Sequence, residues 1–378
     1  MSKKLEDYYI IKNGRKLRYG YTTGSCSAAA AKAAALILFT GKLCDRVQLT
    51  TPKGIELDLT VEDVTRSEDA VSCAIRKDGG DDPDATHGAL VYARVSKSTA
   101  PGIHLDGGLG VGRVTRKGLE QNIGEAAINR VPRQMILREV ENVCDQCDYE
   151  GGLDVIISIP AGVELAKKTF NPRLGIQGGI SVLGTSGIVV PMSEEALIKS
   201  IELEMNMRLA DGDRYLLITP GNYGEDFVKE HMNVDFTRNI KCSNFVGETI
   251  DMAVNRDVKG ILFVSHIGKF VKVAAGIMNT HSRNSDGRAE ILAANAIRAG
   301  ASAETARQIL DTVTTDEALE ILQKANLLKK TMDCILEKID FYLNKRSCGQ
   351  IPIGAVIFSN VFGYLGETKT AGEVKEKL

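Results

Sequence analysis

Apolar and polar positions alternate along this chain in two formats. Up to about residue 175, short runs such as Val47 to Thr50, Ile55 to Val61 and Val71 to Arg76 read as strands separated by Gly and Asp turns. One Ala-rich helix begins near Ser25. From about residue 176, apolar runs alternate with amphipathic helices, the pattern of βαβ units and a parallel sheet. The predicted fold class is therefore α/β: an α+β domain over residues 1–175, then a Rossmann-like parallel-sheet domain over 176–378 with a helical C-terminal part. Ser193 before Glu194 and Glu195 marks a helix start, and Leu197, Ile198, Ile201 and Met205 give that helix an apolar stripe. Thr314 with Glu317 forms a capping box, Ser302 to Lys345 is mostly helical, and Ile353 to Phe358 is a last strand open to either sheet.

Three junctions in the second half share the format strand, Gly turn, helix. Ile180 to Leu183 runs into Gly184, Thr185, Ser186 and Gly187; Tyr215 to Thr219 runs into Pro220, Gly221, Asn222, Tyr223 and Gly224; Ile261 to Ser265 runs into His266, Ile267, Gly268 and Lys269. Glycine permits the tight turn, and the following helix start offers free N–H groups and a partial positive charge to an anion. In open α/β sheets ligands bind in crevices at such strand ends.

Composition narrows the class. With 378 residues, two domains are the natural expectation. A net charge of -2 disfavours nucleic acid as a partner. The opening MSKKLEDYYI lacks a basic-then-apolar secretory pattern, and the eight cysteines are scattered, so reduced thiols and a cytoplasmic location are expected. Cys144 and Cys147 form a lone CxxC without a second pair, which predicts no metal site. Ala28 to Phe39, interrupted by Lys32, is too short for a spanning helix of about 20 residues, so no membrane segment is predicted. A homo-oligomer is compatible with the sequence.

Several segments carry candidate chemistry. Thr22, Thr23 and Ser25 put hydroxyls and amides at the start of the Ala helix, which suits either an anionic ligand or a simple cap. Gly80 to Gly88 holds Asp81, Asp82, Asp84 and His87; an acid–base pair of Asp84 with His87 competes there with a plain Asp-rich turn. Gly107 to Arg113 is Gly-rich without the strand and helix of a dinucleotide fingerprint, and reads as a flexible turn more readily than as a ligand cradle. Arg113, Arg116, Lys269, Arg283 and Arg288 lie near these loops and suit a polycarboxylate, although solvated helix faces account for many cations of this kind. His281 to Arg288 is dense in polar groups and precedes a helix, so a ligand loop and a helix cap are both open.

The wording of several segments is specific. TTGSCSAAAAKAA at 22–34, GDDPDATHGA at 80–89, NPRLGIQGGISVLGTSGIVVPMS at 171–193, ITPGNYG at 218–224 and HIGKFVKVAAGIMNTHSRNSDGRAE at 266–290 closely resemble the cobalt-precorrin-5B C1-methyltransferases of the anaerobic cobalamin pathway. The resemblance runs in order from about residue 18 to 360. It implies S-adenosylmethionine-dependent methylation of C1 of a cobalt-bearing tetrapyrrole, giving cobalt-precorrin-6A, with cobalt arriving inside the substrate. The many carboxylates of such a macrocycle fit the cations named above.

By analogy with Rossmann-like sites, the resemblance places the methyl donor at Gly184, Thr185, Ser186 and Gly187 together with Gly221, Asn222, Tyr223 and Gly224, against the second sheet. Neither turn carries the acid that methyltransferases commonly place at these strand ends; ITPGN offers only Asn222. Asp84, His87, His266 and His281 are the candidates for proton removal or relay, and Thr22, Thr23, Ser25, Arg113, Arg116, Lys269, Arg283 and Arg288 for substrate binding. Two rivals stand beside this reading. A small-molecule kinase is weakened by the missing GxxxxGK[ST] loop. A non-enzymatic tetrapyrrole carrier needs the polycarboxylate site but no donor site.

Overall fold

The structure, a computed structural model, describes residues 5–12, 14–169, 171–232 and 235–378. The chain divides into two units, Met1–Ser193 and Glu194–Leu378.

The first unit is built on a six-stranded sheet. Its strands are β1 (Arg46–Thr50), β2 (Glu56–Arg66), β3 (Ala70–Arg76), β4 (Leu90–Ser98), β5 (Ile103–Gly107) and β6 (Gly152–Ser158), in the order β1-β2-β3-β4-β6-β5. Only the β6–β5 pair is parallel. Strict alternation of buried and exposed positions in β1 and β2 gives one apolar face. Helix α1 (Thr23–Thr40) packs its alanines on that face with Leu49, Leu57, Val91 and Val95, and α2 (Arg130–Gln146) joins the same core. Small side chains let α1 lie close to the sheet and bury it on nearly every side. It is the one helix among the described residues long and apolar enough to cross a membrane, yet 72% of it is inside this core. Lys32, which interrupts the run, is paired with the buried carboxylate of Glu139 at 2.9 Å.

Residues 176–193 belong to this first unit. Ile176–Gln177 pairs with Arg113–Val114, Gly179–Ile180 with Gly110–Val111, and Ile188–Val189 with Gly20–Tyr21. The break therefore falls after Ser193, later than the border predicted near 176. These two-residue pairings are too short to show as strands in the apolar pattern. The Gly107 to Arg113 segment is also no flexible turn. A Cβ on Gly110 would lie 1.8 Å from the Ile159 carbonyl oxygen, and Cβ atoms on Gly162 and Gly179 would each lie 2.2 Å from that of Gly110. The glycines let three backbones cross in contact, so the close approach is to the protein's own chain.

The second unit contains a five-stranded sheet. It runs α3 (Glu194–Ala210), β7 (Tyr215–Thr219), α4 (Asn222–His231), β8 (Ile240–Lys241), α5 (Val246–Val254), β9 (Gly260–His266) and α6 (Ile267–Phe270), the last continuing as a 3₁₀ turn over Val271–Ala275. Helices α7 (Arg288–Arg298), α8 (Ala303–Leu310), α9 (Thr315–Lys324) and α10 (Leu328–Arg346) precede β10 (Ile353–Ser359) and β11 (Gly363–Glu367). The order is β8-β7-β9-β10-β11, parallel except for the β11 edge. Burial along β9 and β10 is almost unbroken, as both faces are covered. Phe263 and Ile357 face one core, Leu262 and Phe358 the other. The predicted capping box at Thr314 is formed, and the last predicted strand lies inside this sheet.

Candidate functional site at the carboxyl edge of the second sheet

From β7 the chain crosses to β8 on one side and then back to β9 on the other. The order reverses between β7 and β9, so the loops leaving these strands part and open a crevice at their carboxyl ends. Two of the three predicted junctions stand there, Pro220 to Gly224 and His266 to Lys269. The first begins α4 with Gly221 as N-cap, and no side chain caps it. Its leading N–H groups thus have no intrahelical acceptor and form a positive end. Gly224 allows the helix start to sit on the sheet, since a Cβ would come within 2.6 Å of the Val264 carbonyl oxygen and 2.9 Å of the Thr219 Cβ.

Lys269 gives the crevice its charge. Its ammonium donates to the carbonyls of Pro220 at 3.3 Å and Ser243 at 3.5 Å, reaching from the end of β9 to the loops after β7 and β8. Burial pushes its pKa below the ordinary lysine value. Two carbonyls satisfy only part of an ammonium's donor capacity. Lys241 stands beside it, donating to Asn222 Oδ1 at 2.9 Å and paired with Glu225. Ser243 has φ 53°, a left-handed backbone at a non-glycine residue in the site wall.

The histidines share a feature the sequence does not reveal. The Nδ1 of His266 accepts the Gly268 N–H at 3.0 Å, that of His87 the Gly79 N–H at 3.1 Å, and that of His281 the Arg283 N–H at 3.1 Å. An Nδ1 that accepts is unprotonated, so the neutral ring carries its hydrogen on Nε2 and presents a donor there. Each ring acts as a local cap. For His266, burial also lowers the pKa, opposed by the nearby Asp316 carboxylate. The geometry suits hydrogen-bond donation from His266 Nε2 better than proton removal.

The loop carrying His281 and Arg283 is fastened from below by Lys272, a cation the sequence groups with Lys269, Arg283 and Arg288 near the loops. Lys272, 2% exposed, donates from Nζ to the carbonyls of Thr280 at 3.1 Å and Ser285 at 2.9 Å. A lysine between Val271 and Val273 in an apolar run was the available signal. Thr280 N–H donates to Asn244 O at 2.9 Å and Gly247 N–H to Met278 O at 3.2 Å, so this loop lies against the segment that follows β8. Arg283 is exposed, and Arg288 grips Asp286 through Nε at 2.5 Å and Nη2 at 3.0 Å.

The remaining predicted residues lie in the first unit. Thr22 caps α1 through Oγ1 and Ser25 N at 3.2 Å, Ser25 Oγ donates to Gly187 O at 2.7 Å, and Leu183 N donates to Thr23 Oγ1 at 3.0 Å. All three residues are buried, and Gly24 N also donates to Leu183 O. The Gly184, Thr185, Ser186 and Gly187 turn thus closes over the start of α1. It leads into the short strand Ile188–Val189, with no helix following. The parallel pairing of Gly179–Ile180 with Gly110–Val111 ties this turn into the first unit. Arg113 is spent on Asp106 at 2.6 Å and the Gly107 carbonyl at 2.7 Å, and Arg116 lies over Gly175. Asp84 accepts from the buried Lys77 at 2.8 Å and from Thr86, while His87 turns to Gly79. The His87 N–H donates to the Asp84 carbonyl at 3.1 Å, but the two side chains both approach Gly79 without bonding to each other, and Asp84 forms an ion pair with Lys77 in place of an acid–base pair.

Comparison with known sequences is decisive for the family. A family model described as CbiD matches residues 10–191, and one described as CbiD, C-terminal domain matches 279–369. The chain belongs to the CbiD family. A protein named cobalt-precorrin-5B C(1)-methyltransferase from Ruminiclostridium cellulolyticum is 50% identical over 93% of this chain and 92% of its own. Proteins of that name from Alkaliphilus metalliredigens and Photorhabdus laumondii are 48% and 41% identical, over 98% and 100% of this chain and 97% and 100% of theirs. A crystal structure described as a cobalamin biosynthesis protein (cbiD) from Archaeoglobus fulgidus is 26% identical, with a TM-score of 0.41 over 75% of this chain and 88% of that one. The two CbiD spans fall one in each unit.

Proposed function

We propose that this CbiD protein is a cobalt-precorrin-5B C1-methyltransferase that takes its methyl group from S-adenosylmethionine and forms cobalt-precorrin-6A. The observation that carries the reading is the crevice between β7 and β9, with its uncapped helix and buried Lys269, in a chain half identical to a relative of that name. A Gly turn with free amides accepts close approach of an anionic or polar ligand. Lys269, bonded only to loop carbonyls, supplies a cation for carboxylates. Methyl transfer to carbon needs alignment above all, which contributes up to about 7–11 kcal/mol for well-oriented reactants. No strong protein nucleophile is required.

Within this reading the donor sits along the carboxyl edge of the second sheet, at Gly221, Asn222, Tyr223 and Gly224, and His266 donates from Nε2 to a ligand oxygen or nitrogen. Lys269 and Arg283 meet carboxylates of the macrocycle. The cobalt comes with the substrate. Anaerobic incubation with cobalt-precorrin-5B and methyl-labelled S-adenosylmethionine, followed by mass spectrometry and NMR, tests the assignment. One labelled methyl at C1 is expected; folded protein with intact substrate and no transfer would sink it.

A further inference from the structure

Two lysines in α6 and the 3₁₀ turn that continues it, Lys269 and Lys272, join the loops of this edge, and both bond backbone carbonyls. Lys269 reaches Pro220 and Ser243. The residue after Ser243, Asn244, accepts the Thr280 N–H at 2.9 Å, and Thr280 gives its own carbonyl to Lys272 at 3.1 Å. A bridge between Phe245 and Asn279 strengthens the same seam. Contacts thus run without a gap from the Pro220 turn to Lys272. The Lys272 ammonium also holds the Ser285 carbonyl at 2.9 Å, so both ends of the turn from Thr280 to Ser285 are fixed on one group. Inside that turn the His281 carbonyl accepts the Asn284 N–H at 3.0 Å, and His281 Nδ1 accepts the Arg283 N–H at 3.1 Å. Packing alone does not ask for a charge here, since Val271 and Val273 on either side lie in the apolar core. A buried ammonium is costly unless it is hydrogen-bonded, so what this one adds over an apolar side chain is its hold on the two carbonyls.

We infer that Lys272 is a positioning residue for the macrocycle: it holds the turn from Thr280 to Ser285 against the crevice wall and so sets where the exposed Arg283 meets a substrate carboxylate. The inference rests on the role given to Arg283 above. At 2% exposed, the Lys272 ammonium does not touch a ligand itself. Its effect passes through the turn. A guanidinium on a loosely held loop must be ordered when the ligand binds, and a loop fixed beforehand spares that cost. The turn at Gly221 to Gly224 is tied through Pro220 to Lys269, not to Lys272. Loss of Lys272 should therefore weaken the hold on the macrocycle and leave the donor's place intact.

The test compares Lys272→Met, Arg283→Ala and the double variant of the full chain in the anaerobic transfer assay. Titration with S-adenosylhomocysteine and 5′-methylthioadenosine reads the donor side, and hydrogen exchange reads the amides of residues 280–285. Each single variant should raise the Michaelis constant for cobalt-precorrin-5B about tenfold, as loss of one charge-assisted contact implies, with donor-side affinities unchanged. In Lys272→Met those amides should also exchange faster. The double variant should be no worse than the poorer single one, because residues that act through one another are not additive. Lys272→Gln, which keeps an NH₂ donor without the charge, should raise the constant by a smaller factor and covers the case in which Lys272→Met misfolds. A wild-type Michaelis constant in the folded Lys272 variants, an equal loss on the donor side, or effects that multiply in the double variant would overturn the positioning role and leave the methyltransferase reading standing. Wild type that transfers no methyl would overturn both.

Discussion

Two helix starts, α1 in the first unit and α4 in the second, look alike in sequence and end differently. Thr22 precedes α1 and the Pro220–Gly221 turn precedes α4, and as sequence both starts offer amides to an anion. In α1 the cap is Thr22, and the turn at Gly184 to Gly187 covers it with carbonyls from the same unit. In α4 no side chain caps the start, and the neighbouring cation, Lys269, bonds only loop carbonyls. A helix N-terminus becomes a ligand site when the fold leaves its donors unanswered, and a satisfied one is part of the packing. The same contrast separates the ion pairs. Lys77 and Asp84 answer each other in the first unit, whereas Lys269 has no carboxylate partner among the described residues.

This contrast predicts that substitutions in the first unit act on stability and those at the second carboxyl edge act on the reaction. The largest effect is expected for Asp84→Asn, which leaves the buried Lys77 ammonium without its counter-charge. Removing one partner of a buried pair costs about 3–5 kcal/mol. Urea denaturation should show that loss, with methylthioadenosine binding unchanged in protein that remains folded. The pH dependence has a definite sign. Lys77 and Thr86 outweigh burial and hold the Asp84 carboxyl below its ordinary range. Its contribution is therefore present above the unfolded carboxyl pKa and is lost as pH falls through the folded one. Wild type should lose stability progressively below about pH 4, and Asp84→Asn should lose less over that span. A variant as stable as wild type would remove the structural role assigned to this pair.

Next in size is Gly224→Ala. Its Cβ meets the Val264 carbonyl oxygen and Thr219, so the start of α4 must move off the sheet. Overpacking of this kind costs about 1–3 kcal/mol. Here stability and reaction should fall together, because the displaced turn is also the crevice wall. A variant that loses stability yet keeps full transfer would separate the turn from the site.

Lys269→Met should show the reverse of the first unit. A charge-assisted contact is worth about 1.5–3 kcal/mol, so methyl transfer should drop roughly 10- to 100-fold while the melting temperature moves little. Wild-type activity should also decline on the alkaline side at lower pH than an ordinary lysine would dictate, since burial lowers the Lys269 pKa. Unchanged transfer in Lys269→Met would mean the ammonium serves only to tie the Pro220 and Ser243 loops together.

What sequence could show follows from the same distinction. The first-unit strands, the Ala helix, the βαβ format and the Thr314 cap are local patterns, readable from periodicity and residue type, and the structure contains them. The place of Gly184 to Gly187 is not local. It is fixed by pairings of Gly179 with Gly110 and Ile188 with Tyr21, partners about 70 and 170 residues away in sequence. Periodicity cannot report such a pairing, and two-residue strands give it almost no pattern to report. The tautomers of His87, His266 and His281 were equally hidden, since each depends on which backbone N–H the folded turn aims at the ring. Lys272 and Lys77 were legible in part. A lysine inside an apolar run must find acceptors if it is buried, although the run does not say which.

The smallest predicted effect probes the comparison most directly. Thr22→Ala removes the α1 cap, worth about 1 kcal/mol, and leaves the covering loop in place. If α1 is packing, the melting temperature falls by a few degrees, and substrate affinity and methyl transfer stay as in wild type. If α1 instead held a carboxylate of the macrocycle, the Michaelis constant would rise more than the lost stability accounts for, and Thr23→Val would raise it again. The two variants act on different hydroxyls: that of Thr22 accepts the Ser25 amide within α1, and that of Thr23 accepts the Leu183 amide of the covering loop. A shared kinetic defect without a shared stability defect would therefore point to a ligand at this helix start, and the distinction drawn between the two units would fail there.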